Sequence, residues 1–264
     1  MADKRSPVFF LPHGGGPLPL LGDPGHASLS NFIRKLGEDY RGQHVKPSAI
    51  LVVSAHWEAT TAALTSAAAP ELLFDYSGFP AQSYQLSYPA TGAPQLAAQI
   101  AEKLLQAGFN PQLNTSRGWD HGVFVPLLLL RPQADIPVVQ LSLNATRPMA
   151  YHLELARRLD GLRDRDVMIL GSGNVVHNLR RLDRGAGETD HATAPWAQGF
   201  DGMVKQAMDA QDLPALAAWE FLSDGAATAV PFPDHYFPML YAAGAAQTGE
   251  KPRGDRAEQL LAKG

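Results

Sequence analysis

The chain contains no cysteine. That excludes disulfides, thiolate zinc sites, iron–sulfur clusters and a cysteine nucleophile, and leaves His, Asp, Glu, backbone or water to hold any metal. Basic residues are not in excess either: 22 Lys and Arg stand against 26 Asp and Glu, a net charge of −4. Such a balance carries no electrostatic footprint for nucleic acid. Long hydrophobic runs are missing too, and nothing approaches the ~18 apolar residues of a membrane span. The run Val8–Leu11 is too short for the core of a signal peptide. A cytoplasmic protein with neither membrane nor nucleic-acid partners is the expectation.

The 264 residues are 45% hydrophobic and 18% charged, enough to bury a substantial core. The length suits one catalytic domain over 1–264, with its core between about 8 and 246. Apolar runs at Val8–Leu11, Ala49–Ser54, Pro137–Leu143 and Val167–Leu170 read as buried strands. Helical spacing appears at Leu29–Leu36, Gln95–Ala107, Ala150–Leu162, Trp196–Met208, Pro214–Trp219 and Pro238–Ala246. The stretch from Phe74 to Pro94 is rich in Gly, Pro, Ser and Tyr and reads as an ordered loop. Strands alternating with helices predict an α/β fold, a mostly parallel or mixed sheet with helices on both faces.

Four histidines stand in unusual contexts: His13 before three glycines, His56 in Ser-Ala-His-Trp, His177 in Gly-Asn-Val-Val-His-Asn, and His235 in Pro-Asp-His-Tyr. His13, His56 and His177 each follow an apolar strand-like run. Open α/β sheets place ligands at the carboxyl ends of strands, and neutral imidazole is the commonest metal ligand. The pattern predicts a metal site assembled from distant loops. Three imidazoles leave positions open to water or substrate, and an all-His set accepts Zn(II) and Fe(II) alike. His26, His44, His152 and His191 lack such contexts and read as surface or satisfied core residues.

Asp120 beside His121 could orient an imidazole for acid–base work, or simply cap the helix that follows. The run Gly14–Gly16 lacks the Gly-Lys-Ser/Thr ending of a phosphate loop and instead suggests close backbone approach beside His13. Gly-Ser-Gly at 171–173 breaks the frame of a nucleophile elbow.

These motifs, in this order, resemble the class III extradiol ring-cleavage dioxygenases of the LigB type, in their DOPA-4,5-dioxygenase-like branch. The motifs are His-Gly-Gly-Gly-Pro at 13–17, Ser-Ala-His-Trp at 54–57, Gly-Phe-Pro at 78–80, Tyr-Pro-Ala at 88–90, Asp-His-Gly at 120–122, Pro-Val-Val-Gln-Leu-Ser at 137–142, Gly-Ser-Gly-Asn-Val-Val-His-Asn at 171–178 and Asp-His-Tyr-Phe-Pro at 234–238. The resemblance implies that His13, His56 and His235 bind the catalytic metal. His177 would be a fourth ligand or an acid–base group, and His121 a substrate-contacting histidine. Fe(II) is the implied working metal, with Zn(II) able to occupy the same site. A small catechol and O2 are the implied partners, and a homo-oligomer is compatible with the family. Trp57, Asp120 and Tyr236 are the implied substrate contacts, with the loop from Gly78 to Tyr88. Two other readings stand beside this one. The same imidazoles could serve a zinc hydrolase, for which Glu58 is the nearest candidate base. They could also belong to a non-enzymatic Memo-like metal-binding protein.

Overall fold

The computed structural model describes residues 5–43, 46–144, 146–182, 193–246, 249–250 and 252. Its elements are β1 (Val8–Leu11), α1 (Ala27–Gln43), β2 (Ala49–Glu58), β3 (Ala63–Thr65), α2 (Pro94–Gln106), β4 (Gln112–Asn114), α3 (His121–Leu130), β5 (Val138–Leu143), α4 (Met149–Arg157), β6 (Val167–Ser172), α5 (Pro195–Asp209), α6 (Leu213–Ala217), α7 (Ala226–Ala229) and α8 (Phe237–Ala245). They form one six-stranded sheet in the order β1-β6-β2-β5-β3-β4. The four strands from β1 to β5 run parallel, β3 meets β5 antiparallel, and β4 is parallel to β3. The sheet is therefore mixed, as the alternation of strand and helix signals implied.

Strand β2 explains why helices cover both faces. Side chains alternate across a strand, so a continuous apolar run must be buried on each side. Leu51 and Val53 pack with Ile100 of α2, Leu155 of α4, Phe200 of α5 and Leu240 of α8. Ile50 and Val52 point the other way, to Ile33 of α1 and to Phe124 and Leu127 of α3. Among the described residues, no helix is long and apolar enough to cross a membrane.

Three differences from the sequence expectation affect the site or its surroundings. Strand β2 continues past Ser54 to Glu58, so His56 lies within the strand rather than after it. Its register against β5 shifts between Val53 and Glu58, the kind of irregularity that re-aims side chains beside active sites. The strands β3 and β4 carry only three residues each, too few for a periodic signal. Helix α4 stops at Arg157, and a 3-10 turn covers Asp160–Arg165. His152 is a satisfied core histidine, with Nδ1 3.1 Å from the Tyr241 hydroxyl and Nε2 3.1 Å from the Asn144 carbonyl. His44 and His191 lie outside the described residues.

Candidate metal centre

Adjacent parallel strands bring their carboxyl ends to one edge of the sheet, and the site is built there. Leu11 of β1 and Ser54 of β2 both pair with Ser172 at the end of β6. His13 lies just beyond β1, and its Nδ1 is 3.0 Å from the Ser172 hydroxyl. His56 reaches the same edge from the irregular end of β2. His235 arrives on a 3-10 turn, Pro233–His235, at the entry to α8. Its carbonyl accepts from Asn174 N–H at 2.9 Å, and a Cβ on Gly173 would collide with that carbonyl. Glycine at 173 is what lets the β6 loop approach so closely.

The imidazoles of His13, His56 and His235 form a nearly equilateral triangle, with ring centroids 4.8, 4.9 and 5.2 Å apart. His121 adds a fourth ring, 3.9 Å from His56 and 5.2 Å from His13. His177 stacks on His235 at 3.4 Å and 17°. The ligand atoms of His13, His56 and His121 lie within 4.8 Å of one another, as do those of His177, Asp234 and His235. All five histidines singled out in the sequence are thus gathered in one cluster.

The donor set suits a cation. The Nε2 atoms of His13 and His56 face each other at 3.0 Å. Their Nδ1 atoms are directed to the Ser172 hydroxyl and, at 3.7 Å, to the Asp75 carboxylate. With the ring protons on Nδ1, two lone pairs meet head-on, and a cation relieves that repulsion. His235 Nδ1 is buried with no hydrogen-bond partner; the Asp234 carboxylate lies 3.1 Å away but out of alignment.

Burial and crowding keep His13, His56 and His177 neutral. Burial, then His56 and His235, hold the His13 pKa well below the usual imidazole range. Burial, then His121 and His235, push His56 down to about 2. Burial, then His235, lower His177 to about 4. These groups take up protons near pH 6.5 when unfolded, but only at lower pH when folded. The unfolded chain therefore binds more protons in that window, and stability rises with pH across it. The metal-free protein is expected to hold its full stability above about pH 6.5 and to lose it progressively toward about pH 4. Thermal unfolding of the metal-free protein over that range checks this, and a flat midpoint would contradict it.

The carboxylate that orients His121 is Asp75, not its neighbour Asp120. Asp75 Oδ1 accepts from His121 N–H at 3.0 Å and from Nδ1 at 2.7 Å. Burial opposes the charge on Asp75, but the hydrogen bonds from His121 outweigh it and keep its pKa low. Asp75 sits in the Phe74–Pro94 loop, 46 residues from His121, and only its place in that polar loop hinted at a role. Asp120 does occupy the cap position of α3, yet its side chain makes no capping hydrogen bond. Its carboxylate is fully buried and accepts from Ser54 Oγ at 2.7 Å, Gln140 Nε2 at 2.5 Å and Arg117 Nη2 at 3.2 Å. Arg117 also donates to the His56 carbonyl at 3.0 Å and lies over the Trp57 ring. The expected substrate contact through Asp120 is therefore replaced by a structural network behind His56.

Two other expected contacts change as well. Tyr236 is fully buried: its hydroxyl donates to the Leu216 carbonyl, and its ring packs with Phe200 and Trp219. It belongs to the core and walls no open pocket. Trp57 is buried beneath Arg117. The ring that faces the cluster is Tyr76, edge-on to His121 at 5.8 Å, with Phe79 beside it at 5.4 Å. Arg117 is itself paired with Asp120.

A family profile described as the catalytic LigB subunit of aromatic ring-opening dioxygenase matches residues 7–260. A dioxygenase of Hapsidospora irregularis is 38% identical over 94% of this chain and 80% of its own length. The 4,5-DOPA dioxygenase extradiol of Escherichia coli is 36% identical over 96% of this chain and 89% of its own. The enzyme of the same name from Beta vulgaris is 34% identical over 94% and 90%. A crystal structure of an uncharacterized Escherichia coli K12 protein superposes with a TM-score of 0.76 at 36% identity, covering 94% of this chain and 91% of that one.

Proposed function

The chain belongs to the LigB family of extradiol ring-opening dioxygenases, and on that premise we propose that it opens a catechol, DOPA or a related one, at a metal held by His13, His56 and His235. The observation that carries this reading is the near-equilateral triangle of those three imidazoles, with the His13 and His56 lone pairs opposed at 3.0 Å. The family favours a dioxygenase over the zinc-hydrolase and Memo-like readings. Glu58, the base a hydrolase would need, is exposed.

In this reaction the ring bond beside the two hydroxyls breaks, and both atoms of O2 enter the ring-opened semialdehyde. The catechol supplies the electrons, so no separate reductant is needed. A bound Fe(II) supplies the Lewis acidity that favours the catecholate and the redox capacity that O2 chemistry needs. The protein's part is proton handling and placement. Asp75 fixes the His121 proton on Nδ1, leaving Nε2 to accept from a catechol hydroxyl. His177, neutral at pH 7, takes the second proton and returns it as the ring opens. Tyr76 and Phe79 offer aromatic faces to the ring.

Anaerobic loading with Fe(II), followed by a catechol panel under air, tests the proposal. Stoichiometric O2 uptake with a yellow product, lost in His13→Ala, is expected. A metal-loaded protein that consumes no O2 with any catechol would overturn the reading.

A further inference from the structure

We infer that His26 is a positioning residue, which holds the glycine loop after His13 and so presents the His13 imidazole; the inference rests on the metal reading above. His26 lies on a short 3-10 turn, Pro24–His26, and has no sequence context that sets it apart. Its Nε2 is 3.0 Å from Gly15 N–H, and its Nδ1 is 2.7 Å from the Asp23 carboxylate.

The partners settle the tautomer. A backbone N–H only donates, so Nε2 must carry a lone pair. The ring proton is then on Nδ1 and donates to Asp23 Oδ2. This is a carboxylate–imidazole–amide chain, and its last member is two residues from His13.

The loop needs such a hold. Gly14 and Gly16 have φ of +72° and +57°, in the left-handed region. A Cβ on Gly14 would sit 2.7 Å from both the His26 ring and Pro19, so the ring is packed against the loop backbone itself. A Cβ on Gly16 would lie 3.1 Å from the Phe79 ring. The loop is clasped between His26 on one side and the aromatic segment facing the cluster on the other. His13 is pinned at its own end by Ser172. With the His26 acceptor gone, the three-glycine run has the freedom to shift, and the His13 ring shifts with it.

Two variants separate positioning from packing. His26→Leu keeps bulk against Gly14 but removes the acceptor, whereas His26→Gln offers an amide oxygen to Gly15 N–H. Chelator competition for Zn(II) and hydrogen exchange at the Gly15 amide are the readouts. His26→Leu is expected to weaken Zn(II) binding about 10-fold and to speed Gly15 exchange, with His26→Gln close to wild type in both. Equal losses in the two variants would reduce His26 to packing and overturn the inference. Faster Gly15 exchange with unchanged Zn(II) affinity would overturn it too. If wild type itself takes up no Zn(II), the metal reading fails, and the Gly15 exchange contrast alone decides whether His26 holds the loop.

Discussion

Replacing His177 with alanine is expected to lower kcat for catechol opening by about 10²–10⁴-fold, the usual contribution of a positioned acid–base group. The physical basis is its place and its charge. His177 N–H is fixed to the Ala229 carbonyl at 2.9 Å, and the next residue, Asn178, is tied to Thr228 at 2.6 Å. The ring therefore stacks on His235 from a pinned backbone. Burial and then His235 lower its pKa to about 4, so at neutral pH it carries a free lone pair. An anionic catechol arriving beside it stabilises the imidazolium and raises that pKa, which is when the proton is transferred. The variant is expected to keep its metal, because His13, His56 and His235 remain. Rate measurements paired with elemental analysis of the same sample check both halves. A kcat within a few-fold of wild type would remove His177 from proton transfer. Loss of metal from the variant would make His177 a ligand instead.

The second large effect concerns stability. Asp120→Ala is expected to cost about 3–5 kcal/mol, the scale for breaking a buried ion pair from one side. Asp120 is fully buried and accepts from Ser54, Gln140 and Arg117. Without it, three donors lose an acceptor, and one of them, the Arg117 guanidinium, loses its counter-charge. For a chain of this size the melting temperature should fall by roughly 10 °C. Asp120→Asn keeps an oxygen for one donor and should lose less. The comparison belongs on metal-free protein, because bound metal would add its own stabilisation to the folded state. An unfolding midpoint for Asp120→Ala within about 2 °C of wild type would show that Arg117 and Gln140 find other partners. Metal affinity should fall alongside stability, since Arg117 links Asp120 to the His56 carbonyl.

Both predictions concern residues the sequence had singled out; the structure brings one, His177, to the cluster and buries the other, Asp120, in a network behind it. His177 follows a strand-like run and a glycine turn, and that local context was enough to direct it to the cluster. The same holds for His13, His56 and His235. Each is delivered by an apolar strand or a proline turn, and such elements are encoded by neighbours a few residues apart. The mixed sheet and the two-sided burial of β2 were legible for the same reason: alternating strand and helix signals imply the sheet, and a continuous apolar run must be covered on both faces.

Contacts between distant segments decided the rest. Asp120 and His121 are adjacent, yet consecutive residues at a helix start point in different directions. One enters a buried network and the other faces the cluster, so adjacency predicted a partnership that geometry does not permit. Asp75, the true partner of His121, lies 46 residues away in an irregular loop whose path no periodicity describes. Tyr236 neighbours a candidate ligand but turns into the core, because that face of its turn packs against Phe200 and Trp219. His26 acquires meaning only through an amide 11 residues earlier in a chain segment folded back upon it. The sequence determined which histidines gather at the edge of the sheet and which strands deliver them, because both follow from local pattern. Only the tertiary structure decided which side chains hold them in place, because a hydrogen bond depends on separation in space and local pattern does not encode that.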